Sequence, residues 1–259
     1  MSDRITVVLA DGVADVRLNR PDRKNALDAE AFVAIRAAID DLAAMPGLRC
    51  VVLSGAGGDF CAGIDLAMLA GGQAPDLMAR SHGPANALQQ AAWGWRTLPV
   101  PVIAAISGVA LGAGFQIALA ADIRIAAPDA RLSVMEARWG LVPDLGGMAL
   151  YRGVIRDDVM RDLTFSGRII AAEEAVALGV VTRIAADPLA EATALARMIA
   201  ANSPRAVRAA KRLFNEPADQ DAGAILIAES DEQRTLLAGP DHAETLLAAR
   251  EGRKPVFLD

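Results

Sequence analysis

The clearest chemical use in this chain lies in two glycine-bearing turns. One is Phe60-Cys61-Ala62-Gly63-Ile64-Asp65-Leu66 and the other is Gly112-Ala113-Gly114-Phe115-Gln116. Each follows an apolar run that reads as a buried strand, and each opens a helix or helical turn. Backbone N–H groups in the first turn of a helix lack intrahelical partners and sit at the positive end of its dipole. With only Ala and Gly around them, an outside oxygen can approach to hydrogen-bonding distance. Two such N–H groups converging on one carbonyl oxygen make an oxyanion hole. Losing one donor from such a site typically costs about 2.7–4 kcal/mol of transition-state stabilisation. The same glycines equally suit tight turns and close packing, and spacing alone leaves both readings open.

The surrounding elements must hold these turns. Ile5 to Ala10 and Val13 to Asn19 flank Asp11-Gly12, a hairpin signal. Asp28 is a good N-cap for a helix to about Met45, with Phe32, Ile35, Ile39 and Leu42 spaced by three and four. Cys50 to Leu53 and Val102 to Ile106 read as strands feeding the two turns, Gly108 to Gly112 as a turn, Ala113 to Ala121 as a helix and Ile123 to Ala126 as another strand. Ala85 to Thr97 reads as a helix, and Ala67 to Pro84 as loop with a short helix. This βα alternation predicts an α/β fold with a mostly parallel sheet covered by helices. After about Pro188 only helical segments follow, so we expect an α/β core over 1–187 and a helical section over 188–259.

Composition narrows the possibilities. Of 259 residues, 53% are hydrophobic and 22% charged, so the chain is globular rather than disordered. Its net charge of −6 disfavours nucleic acid as a partner. Two cysteines, Cys50 and Cys61, make neither a disulfide framework nor a zinc site, and no metal-ligand spacing is present. The uncharged run from Val100 to Ala121 is long enough to span a bilayer, but the glycines, proline and serine within it favour a buried strand, turn and helix. No apolar leader follows Met1, and a cytoplasmic protein with no membrane partner is expected. Neither glycine turn completes a dinucleotide fingerprint: Phe60 and Ile117 stand at the third glycine. Gly63 precedes Ile64 rather than the Lys of a P-loop, and no G-x-S-x-G elbow surrounds Ser107 or Ser166.

The first turn with Val51-Val52-Leu53-Ser54-Gly55 before it, Leu18-Asn19-Arg20-Pro21 with Asn25-Ala26-Leu27, and the run from Pro101 to Gly114 resemble the crotonase (enoyl-CoA hydratase/isomerase) family. Asp122-Ile123-Arg124, Ser166-Gly167-Arg168, Leu178-Gly179-Val180-Val181 and Glu251-Gly252-Arg253-Lys254-Pro255-Val256-Phe257 extend the resemblance over essentially the whole chain. It implies a crotonase-like ββα-spiral core and a C-terminal helical section that mediates trimerisation, as a homotrimer or a hexamer built from two trimers. It implies an acyl-CoA substrate, with coenzyme A part of that substrate and no separate cofactor.

By this resemblance the N–H groups of Ala62 and Ala113 bind the thioester oxygen. Phe60, Ala62, Gly63, Ile64 and Asp65 line the adenine and pantetheine path, and Lys24, Lys254 and Phe257 are candidates for phosphate and adenine contacts, the last two in a neighbouring subunit's site. Family hydratases carry two glutamates. The second matches Glu136, but the first position is Gln116, which is no carboxylate base. Asp144 stands where hydratases have Gly and where dienoyl-CoA isomerases have Asp. It is either a second acid or the cap of a helix beginning near Leu145. Met68, Phe115, Met135 and Trp139 are candidate acyl-pocket walls. Double-bond isomerisation with Glu136 as acid and base is therefore expected. The alternatives are a hydratase in which Asp144 replaces the absent glutamate, and a non-catalytic acyl-CoA-binding homologue.

Overall fold

The computed structural model describes residues 3–70, 76–215 and 221–258. The first half contains β1 (Ile5–Ala10), β2 (Val13–Leu18), α1 (Ala29–Ala43), β3 (Cys50–Gly55), α2 (Leu66–Ala70), α3 (Gln90–Thr97), β4 (Val102–Ile106), β5 (Val109–Leu111), α4 (Ala113–Ala120) and β6 (Ile123–Ala126). It is followed by β7 (Arg131–Ser133), α5 (Gly147–Leu150), α6 (Asp157–Ser166), β8 (Ile170–Ala171), α7 (Ala172–Ala177) and β9 (Arg183–Ile184). Helices α8 (Pro188–Ala200), α9 (Pro204–Asn215), α10 (Ala222–Leu237) and α11 (Pro240–Glu251) complete the described chain.

The main sheet has the order β1-β2-β3-β4-β6-β9. Only its first pair, the hairpin β1–β2, is antiparallel; every later pair is parallel. Strands β3 and β4 are buried along their length, save Gly55, as parallel strands covered on both faces must be. Helices α1, α3 and α4 cover one face, through Phe32, Ile35, Trp95 and Phe115. The other face, built from Val52, Ile103 and Ile125 among others, receives Ala192, Ala196 and Ala200 of α8. Alanine on that stripe lets the helix backbone lie close to the sheet. The section expected over 188–259 thus begins inside the packing of the core.

Three local expectations change. The Gly108–Gly112 segment carries β5, which pairs with β7 in a second sheet of order β5-β7-β8, because buried backbone groups there need partners. The helix expected from Ala85 starts only at Gln90. Asn86 Oδ1 accepts the N–H groups of Leu88 and Gln89 at 3.0 and 2.8 Å, forming a turn ahead of the helix. The uncharged run becomes β4, β5 and α4, and α4 is buried on every side. No helix among the described residues is long and apolar enough to cross a membrane. Part of the loop read from Ala67 to Pro84 lies outside the described residues.

Helix α9 is tied to the sheet by Lys211, buried at 5% exposure. Its Nζ donates to Asp122 Oδ2 and to the Val100 carbonyl, both at 2.8 Å, while Asp122 Oδ2 also accepts the Val102 N–H at 2.7 Å. Lys211→Met leaves the buried Val100 carbonyl without its side-chain donor and Asp122 with the Val102 N–H but no cation. It is expected to lower unfolding stability by about 1–3 kcal/mol, measured by denaturant titration.

Candidate active site

The two glycine turns are stitched edge to edge. Cys61 N–H donates to Val109 O at 2.9 Å, and Leu111 N–H returns a bond to Cys61 O at 3.0 Å. This close approach is possible because of glycine. A Cβ on Gly114 would lie 2.3 Å from Cys61 O, and one on Gly63 would lie 2.8 Å from Leu111 O. Gly63 (φ +97) and Gly112 (φ +51, ψ −115) also adopt backbone conformations that L side chains disfavour. Asn25 holds the neighbouring 20–25 loop against the first turn. Its Nδ2 donates to Ala56 O at 2.9 Å and Asp59 O at 2.7 Å, and its Oδ1 accepts from Arg20 N at 2.8 Å.

The donor expected at Ala62 is already spent. Its N–H donates to Lys24 O at 2.9 Å, because the Asn25-anchored loop runs alongside it. Gly63 N–H lies 3.4 Å from Cys61 Sγ. The next N–H, that of Ile64, has no protein acceptor among the described residues, and neither does that of Ala113 at the first position of α4. Ile64 and Ala113 line one cleft, and a Cβ on Gly63 would lie 3.7 Å from Ala113 N. The N–H groups of the two turns left unpaired at the cleft are therefore those of Ile64 and Ala113, while that of Ala62, expected to bind the thioester oxygen, is taken up by Lys24 O. Sequence reading put Ile64 on the ligand path but could not see which N–H the Lys24 loop would consume.

Glu136 opens the short 3-10 turn Glu136–Trp139 and is buried at 8% exposure. A Cβ on Gly112 would lie 3.5 Å from its Oε1, so the carboxylate sits beside the second turn. Gln116, fully buried on α4, donates its Nε2 to Glu136 Oε1 at 2.6 Å. Gln116 Oε1 in turn accepts from Leu145 N at 2.9 Å and Gly147 N at 3.0 Å. Oε2 of Glu136 is buried with no hydrogen-bond partner. Burial pushes the Glu136 carboxyl above its ordinary value of 4.5, opposed by a backbone N–H bond and the Gln116 amide and reinforced by the charge of Asp144. Burial likewise raises Asp144. Asp144 does not cap a helix: α5 begins at Gly147, with Gly146 in the capping position and no side-chain bond there.

The cleft holds about 360 Å³. Both turns and Glu136 border it, and Met135, Trp139 and Leu141 supply an apolar wall. A carboxylate whose proton affinity is raised, beside two unpaired N–H donors and an apolar wall, can remove a proton from a carbon next to a carbonyl while the donors hold the resulting enolate oxygen.

A family model described as enoyl-CoA hydratase/isomerase matches residues 9–259. The chain belongs to the enoyl-CoA hydratase/isomerase family. It is 34% identical to the Bacillus subtilis protein YngF, named for that same hydratase/isomerase assignment, with 99% of each chain covered. It is 31% identical to carnitinyl-CoA dehydratase of Escherichia coli O157:H7, again covering 99% of each. Its structure resembles that of enoyl-CoA hydratase from Bacillus anthracis with a TM-score of 0.90 and 32% identity, covering 98% of this chain and 99% of that one. The α/β architecture with its helical C-terminal region is thus the crotonase fold, as the resemblance implied.

Within this family member, the remaining expected site residues divide. Asp65 borders the cleft but is paired with Arg20 at 2.6 Å. Lys24 is exposed, with Nζ 3.6 Å from Asp59 Oδ2. Phe60 and Phe115 are core residues at 0% and 1% exposure and do not border the cleft. Met68 packs against the core outside the cleft lining, and Gln116 stands behind Glu136 rather than on the cleft surface. Lys254 is exposed and Phe257 buried, its carbonyl accepting from Arg49 Nη2 at 2.9 Å; neither borders this chain's own cleft. Arg23, Ala26, Leu66 and Leu141, not singled out from sequence, do border it. Cys61 donates to Asn25 O at 3.2 Å, and burial pushes its thiol up to about 12, so it is no nucleophile at neutral pH.

Proposed function

We propose that the protein isomerises the double bond of an enoyl-CoA, with Glu136 as the single acid and base. Glu136 takes a proton from Cα of a 3-enoyl thioester. The electron pair left behind delocalises onto the thioester oxygen as a dienolate, held by the N–H groups of Ile64 and Ala113. Return of the proton at Cγ yields the conjugated 2-enoyl thioester. The observation carrying this reading is that Glu136 is the one carboxylate beside the two unpaired N–H donors that is not tied up in an ion pair, while Gln116 stands where a second base would be. The acyl chain would lie against Met135, Trp139 and Leu141. Coenzyme A is part of the substrate, and no further cofactor enters this reaction.

Hydration is the second reading, supported by the hydratase and dehydratase names of the relatives. It needs Asp144 as the second proton-handling group. Comparing 3-enoyl-CoA isomerisation with 2-enoyl-CoA hydration separates the two. We expect isomerisation to dominate and to survive Asp144→Asn. Robust hydration that is lost in that variant would overturn the isomerase reading. The same variant tests the electrostatics. Removing a like charge favours the Glu136 anion, so the acid limb of the pH profile should move to lower pH.

Self-association as a trimer or hexamer is proposed from the helical section. Helix α10 buries none of its residues and leaves Leu226, Ile227 and Leu237 exposed. In such an assembly Lys254 and Phe257 would reach a neighbour's site, and sedimentation would report the assembly directly.

A further inference from the structure

We infer that Gln116 is a positioning residue that places the mobile proton of Glu136 on Oε2. The inference rests on Glu136 handling a proton, as in the reading above, and not on whether the product is an isomer or a hydrate.

The orientation of the Gln116 amide is fixed from behind. Two backbone N–H groups, Leu145 and Gly147, point at one of its terminal atoms, which must therefore be the oxygen. The NH₂ end is left facing Glu136 Oε1 at 2.6 Å. A flip would set NH₂ against two N–H donors and oxygen against a carboxylate, losing three hydrogen bonds in a buried site. The loop also lies close against this amide, since a Cβ on Gly147 would lie 2.7 Å from Gln116 Oε1. Oε1 thus always meets a donor. Protonating Oε1 would turn a strong charge-assisted acceptor into a weaker hydroxyl acceptor, whereas protonating Oε2 leaves Oε1 a carbonyl and keeps the bond. Oε2 has no hydrogen-bond partner among the described residues. Oε1 is therefore the occupied oxygen, and Oε2 is the one left to take and return the proton. The charged groups around this carboxylate are Asp144 on the following loop, Arg138 on its own turn, and Asp65 and Arg23 across the cleft. None supplies a hydrogen bond to it. Gln116 also links Glu136 to the loop bearing Asp144, so the two elements are held in register.

The test uses Gln116→Met, which keeps the volume and removes the donor, with Gln116→Glu as a second variant. Full-length protein carrying ¹³C-carboxyl glutamate is titrated by NMR, the Glu136 signal being identified by its loss in Glu136→Gln. Gln116→Met should move the Glu136 midpoint upward, because a bond to the charged form is lost. Exchange of the Cα protons of butyryl-CoA in D₂O should fall about tenfold or more at saturating substrate, with KM changed less than kcat. A purely structural role would lower thermal stability and leave the midpoint in place. An unmoved midpoint, or full exchange activity in Gln116→Met, overturns the inference. The absence of isomerised product alongside normal exchange would instead count against the proposed reaction. Gln116→Glu should show two coupled carboxyl titrations in place of one, because two carboxylates at this separation share a proton.

Discussion

Glu136→Gln is expected to lower kcat on any enoyl-CoA the protein turns over by about 10²–10⁴, the usual worth of a positioned acid or base. The substitution is nearly isosteric and removes the carboxylate lining the cleft with Ile64 and Ala113 that, unlike Asp65, is not held in an ion pair. Binding should survive, because the N–H donors and the apolar wall are untouched, so KM should change far less than kcat. The loss should not come from unfolding. Burial raises the folded Glu136 carboxyl above its unfolded value, so its favourable contribution is present at low pH and is lost as pH rises through the folded midpoint. A neutral glutamine escapes that loss. The variant's thermal midpoint should therefore match or exceed the parent's at neutral pH, with the difference shrinking toward pH 4. In the parent, activity should rise with pH through a midpoint above 4.5, since the anion is the base. Unchanged turnover in Glu136→Gln would remove Glu136 as the base, and no turnover of any acyl-CoA by the parent would favour a non-catalytic acyl-CoA-binding protein.

Gly114→Ala should be nearly as damaging, by a different route. Its φ is not in the left-handed region, so the methyl costs nothing in backbone preference. The cost is contact: the new Cβ would meet Cys61 O at 2.3 Å and Cys61 Cβ at 2.8 Å, neither of which is the tip of a flexible side chain. The two turns must move apart, which weakens the Cys61–Val109 and Leu111–Cys61 bonds and separates the Ile64 and Ala113 donors. A misplacement of about 1 Å at such a site can cost about 10²-fold in rate, and overpacking typically costs about 1–3 kcal/mol in stability. Gly252→Ala is the comparison. Gly252 has a positive φ and open space, so it should lose stability by about 1 kcal/mol while keeping activity. Equal losses of activity in both variants would show that the close approach at Gly114 has no special role.

Much of this was legible before any coordinates. Asp28 caps α1 through Ala31 N at 2.8 Å, as a short polar residue before an apolar 3–4 pattern should. The glycines of both turns mark backbone approach, and Glu136 was singled out by its motif. The misreadings share one origin. Hydrophobic residues beside a motif look like site residues in sequence, Phe60 on the ligand path and Phe115 as a pocket wall, yet both are buried in core, Phe115 on an all-buried helix. Of the two readings open for Asp144, a second acid or a cap, the cap falls, because the helix begins later and Gln116 already takes the Leu145 and Gly147 N–H groups.

Local chemistry was enough to determine the α/β alternation, the family and the small residues at the two turns, and it singled out Glu136 as the candidate acid. These follow from propensity, periodicity and motif, all of which act over a few neighbouring residues. The tertiary structure alone decided which backbone N–H groups stay free, which oxygen of Glu136 is occupied, and which aromatic residues border the cleft. Hydrogen-bond partners are assigned by long-range pairing, and a donor is free only when every distant acceptor has been placed elsewhere. Lys24 O, far away in sequence, claims Ala62 N–H and so leaves Ile64 N–H, two residues on, as the unpaired donor of the first turn.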